Sequence, residues 1–216
     1  MLRYIKKISI FPISLLLLTV CTLALSIFRI GNSDNSKIIL SSQTQNATDT
    51  ILAEDFSSKI RPGDILLIRG NTWIDKVIQS VTGSSYTHVA GVVEPDKAIE
   101  ILPFKKTRYQ NLSIYNGRAE VFTCDNLTKE QRQKIVDHVV GELGTRYDYK
   151  LLLWEASRYL LNWVWPYKAD DSNSNLCSTL WANAYRKAGV DLCPNLPYPS
   201  PGDLGISTIL EKIDRY

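Results

Sequence analysis

Two stretches carry residue types that can do chemistry together. Gly83-Ser84-Ser85-Tyr86-Thr87-His88-Val89-Ala90-Gly91-Val92-Val93 runs from turn residues into a β-branched run, with a histidine at the joint. Asn173-Ser174-Asn175-Leu176-Cys177-Ser178-Thr179-Leu180-Trp181 places a cysteine where a helix should begin. A thiol is a useful nucleophile only as the thiolate, and the unpaired N–H groups at a helix N-terminus favour that negative charge. It also needs a base within hydrogen-bond reach and a third polar group to orient the base. Cys177 falls in the first turn of its expected helix, and its own backbone N–H can contribute to an oxyanion hole. His88 opens a core strand, a rigid place for an imidazole. Glu100 lies in the expected partner strand and is the candidate for the third position. A three-residue loop over 95–97 pairs Val92 with Glu100 and puts His88 and Glu100 on one face. A two-residue loop puts them on opposite faces, and the sequence leaves both open.

Each residue also has a plain structural reading. A cysteine near a helix start, among Leu and Trp, is more often a small buried core residue. A lone histidine at a strand start is usually structural or exposed, and His138, between apolar positions on a helix, is of that kind. Cys124 and Cys193 are either a disulfide of an oxidising compartment or two separate buried thiols. Two histidines and four scattered cysteines give no metal-site spacing, so no metal or other cofactor is expected.

The elements that must position these residues follow from pattern. Arg61-Pro62-Gly63-Asp64 is a turn, and the apolar run Ile65-Leu66-Leu67-Ile68 after it reads as a buried strand. Trp73, Val77, Ile78 and Val81 fall at helical spacing, and Gly83 ends that helix. His88 to Val93 is the key strand, Pro95-Asp96 turns the chain, and Ala98 to Leu102 is the hairpin partner. Ala119 to Phe122 is a further strand. Thr128-Lys129-Glu130-Gln131 has the form of a capping box and opens a helix with Ile135, Val136, Val139, Val140 and Leu143 on one face, ended by Gly144. Leu151 to Trp165 is apolar and aromatic but holds Glu155 and Arg158, so it reads as a buried helix or a lid. Asn173 to Asn175 supply N-cap candidates for a helix over 176–188, which Gly189 stops.

Composition narrows the function classes. The formal net charge is +3, but Arg3, Lys6, Lys7 and Arg29 lie in residues 1–30, which hold no acid; the rest carries 25 − 4 = 21 bases against 22 acids. No dense basic face for nucleic acid is expected. Ile8 to Phe28 has no charge and is long enough to span a bilayer as a helix. A cleaved signal has a shorter apolar core and a small-residue exit, and Leu25-Ser26-Ile27-Phe28 is a poor exit. Val20 is bulky for a residue before a lipoprotein cysteine at Cys21. The expectation is an uncleaved signal anchor over 1–30 with its N-terminus cytoplasmic, since the bases precede the span. A polar linker over 31–57 and one domain over 58–216 in the periplasm or extracytoplasmic space follow.

The ordered set Pro62-Gly63-Asp64-Ile65-Leu66, Thr82-Gly83-Ser84-Ser85-Tyr86-Thr87-His88-Val89, Gly144-Thr145-Arg146-Tyr147-Asp148 and Cys177-Ser178 resembles the permuted papain-like enzymes of the YaeF/YiiX group in the NlpC/P60 superfamily. In that group the Cys helix follows the His strand, as here. The resemblance covers about residues 60–210. It implies an α+β, circularly permuted papain-like fold, with an antiparallel sheet packed on helices. It implies Cys177 as nucleophile, His88 as base and Glu100 as the third residue, with Tyr147, Tyr86 and Ser178 near the substrate. Leu176 departs from the aromatic common before the nucleophile, and the aromatic insert Trp154 to Trp165 is extra. The implied reaction is acyl transfer to water from an amide or ester. Small-molecule, peptide and acyl-lipid substrates all fit, as does a non-catalytic binding module that kept the fold. A channel lined by Trp154, Leu160, Trp163 and Trp165 would favour the lipid, and a polar open groove would count against it.

Overall fold

The computed structural model describes residues 60–163, 165–167 and 174–215. The expected anchor and linker over 1–57 lie outside the described residues. Among the described residues no helix is long and apolar enough to cross a membrane.

The chain order is β1 (Ile65–Ile68), α1 (Trp73–Thr82), β2 (His88–Glu94), β3 (Lys97–Glu100), β4 (Arg108–Asn111), a 3-10 turn at Leu112–Tyr115, β5 (Ala119–Thr123), α2 (Lys129–Gly141), β6 (Arg146–Tyr147), α3 (Tyr149–Leu161), β7 (Ser174–Asn175), α4 (Cys177–Lys187), α5 (Pro201–Gly205) and β8 (Glu211–Arg215). The fold is α+β. Six strands form one sheet in the order β4-β3-β2-β1-β5-β8, and every pairing in it is antiparallel. The two-residue strands β6 and β7 pair in parallel.

All four residues of β1 are buried, because the sheet has a core on each face. Ile65, Leu67, Val89 and Ile99 pack with Trp181 and Tyr185 of α4. Leu66, Ile68, Ala90 and Val92 pack under Leu112 and Tyr115 of the 3-10 turn. The turn before β1 is fixed by charge and backbone geometry. Gly63 has φ +90, open to glycine at little cost. Asp64, fully buried, accepts hydrogen bonds from Arg132 Nη1 at 2.8 Å, Thr123 Oγ1 at 2.6 Å and its own turn's Arg61 N–H at 2.8 Å.

Helix ends differ from the sequence reading where tertiary partners outbid local ones. The capping boxes at Thr72 and Thr128 are present. The N-cap of α4 is Leu176, not an Asn, because Asn175 is held in β7 and donates from Nδ2 to Glu142 Oε2 at 2.9 Å. The second helix stops at Gly141, three residues before Gly144. Cys124 and Cys193 are separate free thiols.

Helix α4 lies on β2 through a close approach. Trp181 is fully buried and its Nε1 donates to the Ile99 carbonyl at 3.2 Å. A Cβ on Gly91 would sit 2.4 Å from Trp181 Cζ2, too near for any side chain. Gly91→Ala is therefore expected to lower stability by about 1–3 kcal/mol through overpacking. Urea unfolding checks this as a fall in the midpoint at constant slope; an unchanged midpoint would contradict the packing account.

Candidate active site

His88 reaches Glu100 by a route that neither simple loop offers. The turn at Pro95-Asp96 is a two-residue loop, pairing Glu94 with Lys97. Left alone, that register would put Glu100 opposite Gly91, on the wrong face. A bulge between Val92 and Glu94 shifts the register by one, so Glu100 pairs with Ala90. Ala90 is two residues from His88, and side chains two apart share a face. His88 Nε2 and Glu100 Oε2 are 2.9 Å apart.

Glu100 is 2% exposed and its oxygens are fully employed. Arg108 Nη2 donates to Oε1 at 2.9 Å, across the β3–β4 pair, and Tyr115 Oη donates to Oε2 at 2.7 Å. Burial alone would raise this carboxyl, but His88 first, then Tyr115 and Arg108, outweigh it and hold it down to about 2. Burial alone would likewise depress the imidazole. The Cys177 sulfur, then Glu100, outweigh burial and raise His88 from 6.5 to about 9. With Nε2 committed to Glu100, Nδ1 is the ring nitrogen left for the sulfur.

Cys177 is the first residue of α4, and no side chain caps that helix. Leu176 has no acceptor to offer, and Thr179 Oγ1 instead takes the Leu176 N–H at 2.9 Å. The start of α4 is set beside α3 by the β6–β7 pair, with Tyr147 opposite Asn175. Asp148 secures the junction, accepting from Leu151 N–H at 2.9 Å and Ser174 Oγ at 3.1 Å. Tyr147 is thereby brought near Cys177. Burial, then the sulfur's charge, raise its hydroxyl pKa.

Cys177 opens on a cleft of about 270 Å³ between α1 and α3. Its apolar wall includes Val77, Ile78 and Val81 of α1 and Leu152, Ala156 and Leu160 of α3. The stripe on α1 therefore lines the cleft instead of joining the core: no residue of that helix is buried. Tyr147, Ser178 and Glu155 also line the cleft. Of the aromatic insert, Leu160 is in the wall, whereas Trp154 is 3% exposed and packs edge-on against Tyr198, and Trp163 is exposed. Tyr86 is not in the wall; its hydroxyl is turned to Glu120, under the Arg69 guanidinium. A larger hollow of about 530 Å³ between Arg69–Asn71 and Gly117–Glu120 holds the Arg69–Glu120 pair and none of Cys177, His88 and Glu100.

Glu155 was the residue that pattern reading passed over. A lone acid in an apolar helical stretch, one turn from Arg158, reads as a solvated or paired charge. It is 8% exposed, and Arg158 is paired with Asp203 instead.

No family model matches the chain, and no curated protein matches it. Among solved structures it is similar to the crystal structure of the metalloprotein YiiX from Escherichia coli O157:H7. Identity is 19%, coverage is 73% of this chain and 98% of that chain, and the TM-score is 0.45. YiiX gives its name to the group that the sequence resembles. A likeness at that TM-score carries no argument by itself, and the site stands on its own geometry. Among the described residues, no three His, Cys, Asp or Glu side chains gather where they could hold a metal ion.

The pair makes a signed pH prediction. Glu100, lowered to about 2, contributes stability above its ordinary 4.5 that is lost as pH falls through about 2. His88, raised to about 9, contributes stability below 6.5 that is lost as pH rises through about 9. Glu100→Gln is expected to cost about 1–3 kcal/mol between those two ordinary values, because it leaves the half-buried imidazolium without its carboxylate partner. The cost should shrink above pH 9. Urea unfolding across pH checks this, and a pH-independent cost would contradict the charged pair.

Proposed function

We propose that this chain is a cysteine hydrolase that cleaves an amide bond, peptide or N-acyl, through Cys177, His88 and Glu100 and an acyl-thioester intermediate. The observation that carries the reading is the half-buried His88, paired with the buried Glu100 and held beside Cys177 at the start of a helix that no side chain caps. The Cys177 thiolate attacks the carbonyl carbon, and the oxyanion faces the first N–H groups of α4. The His88 imidazolium protonates the leaving amine as the C–N bond breaks. His88 then takes a proton from water, whose oxygen attacks the thioester, and the thiolate departs. Glu100 fixes the ring and stabilises its charged form.

The order of the elements supports the circularly permuted papain-like arrangement, since the histidine strand precedes the cysteine helix. A second reading is a lipid-directed acyl hydrolase or acyltransferase on the same three residues. The apolar wall of the cleft favours an acyl chain over a polar wall peptide. The exposed Trp73, Ile74, Leu153, Leu161 and Trp163 on the flanking segments suit a site that works at a membrane. An apolar span over 8–28 would hold the domain there as a single-pass extracytoplasmic protein.

Hydrolysis of acetyl, butyryl and octanoyl p-nitroanilide tests both readings. The expected kcat/KM rises along the series, by up to about fourfold per methylene. Cys177→Ala and His88→Ala should each lower it by about 10³ or more. Turnover that survives Cys177→Ala would overturn the mechanism. A reactive thiol without turnover of any acyl amide or ester would favour the binding module.

A further inference from the structure

Two buried side-chain polar atoms lack a hydrogen-bond partner among the described residues: Glu155 Oε1 and Ser178 Oγ. They come from different elements, the middle of α3 and the first turn of α4. Both line the cleft that opens on Cys177. The other deeply buried acids are satisfied: Asp64 by Arg132, Glu100 by Arg108 and Tyr115, Asp148 by the Leu151 N–H. Native proteins leave few such groups unpaired, and each exception asks for a cause. Here both exceptions line one cleft.

The surroundings of Glu155 set its protonation. Burial first, then the negative charge at Cys177 and at Asp203, raise its carboxyl well above the ordinary range, against Arg158. Arg158 is already engaged, donating from Nη2 to Asp203 Oδ2 at 2.6 Å and to Tyr159 Oη at 2.7 Å. That shift favours the neutral carboxyl, which can both donate and accept. The Ser178 hydroxyl can do the same. An anionic ligand group here would meet the charge on Cys177, whereas a carbonyl, amide or hydroxyl would satisfy both side chains.

We propose that Glu155 and Ser178 form a polar subsite that hydrogen-bonds an uncharged polar group of the substrate beside the scissile bond. The inference rests on the cysteine hydrolase reading and adds a substrate class: an apolar chain bearing a neutral amide or ester, not a carboxylate or phosphate, at the reacting end. The chain lies along α1 and α3, and its polar head is taken by these two groups, which line the same cleft as Cys177.

Saturation kinetics of Cys177 alkylation by N-octyl iodoacetamide test it in the full chain, with mass spectrometry locating the label. Glu155→Met keeps the side-chain length and removes the hydrogen-bonding group. The expected result is an inactivation KI raised about fivefold or more, the loss of one hydrogen bond, with the maximal rate kept within about twofold. The Tm should rise, since an unpaired buried carboxyl has gone. Glu155→Gln restores a donor and acceptor of the same shape and should recover KI. A KI unchanged or lowered in Glu155→Met overturns the subsite, as does labelling that never saturates in the parent. A fall in Tm, or Glu155→Gln behaving as Glu155→Met, overturns it in favour of a structural role. An unreactive Cys177 in the parent is a different failure: it removes the hydrolase reading itself.

Discussion

The contact between Trp181 and Gly91 is the constraint on which the site depends. The indole lies where a side chain on β2 would be, so α4 sits closer to the sheet than any other residue at position 91 would allow. Trp181 is one turn after Cys177, and Gly91 is three residues after His88. Fixing one pair fixes the other, because both elements are rigid over that distance. The far end of α4 is secured separately, by Tyr185 Oη donating to the Gly63 carbonyl at 2.6 Å. That turn is in turn locked by the buried Asp64–Arg132 pair, which ties it to α2. The thiol and the imidazole are thus held by core packing remote from the cleft, which leaves the cleft wall free to be shaped for a ligand.

The electrostatics of the site converge on the Cys177 sulfur, which is buried where it meets the cleft. Its charge raises the imidazole, the Tyr147 hydroxyl and the Glu155 carboxyl alike. Only His88 answers by becoming a cation, because Glu100 stands behind it with Arg108 and Tyr115 to hold the carboxylate charged. Glu155 has no such support, and its carboxyl is raised well above the ordinary range. Two acids in the same site are therefore shifted in opposite directions, set by whether each is paired.

Much of this was legible in the chain. The β1 run, the stop at Gly83, the capping box at Thr128 and the start of a helix near Cys177 all depend on neighbours close in sequence, and local patterns report those. The face shared by His88 and Glu100 was not legible, because it turns on a bulge at Val93 that no residue type demands. Strands β4 and β8 were missed for a similar reason: Arg108-Tyr109-Gln110-Asn111 and Glu211 to Arg215 are polar edges whose strand character comes from pairing with β3 and β5. Tyr86 and Tyr147 look alike in the sequence, yet a β6–β7 pair sends one to the cleft and a contact with Glu120 turns the other away. A channel lined by Trp154, Leu160, Trp163 and Trp165 was the feature that would favour a lipid, and of these Leu160 lines the cleft. The wall holds none of the tryptophans and is shared with α1, whose stripe read as ordinary amphipathic spacing.

The pH dependence of thiol alkylation tests the central claim most directly. Iodoacetamide labelling of each cysteine is followed by mass spectrometry in the parent and in His88→Ala. Cys193 serves as an internal reference, since burial and then Asp203 push its thiol up to about 11. The account predicts fast labelling of Cys177 near neutral pH, lost or moved to higher pH in His88→Ala, with Cys193 slow in both. Slow labelling of Cys177 in the parent, with the same profile in His88→Ala, would contradict it.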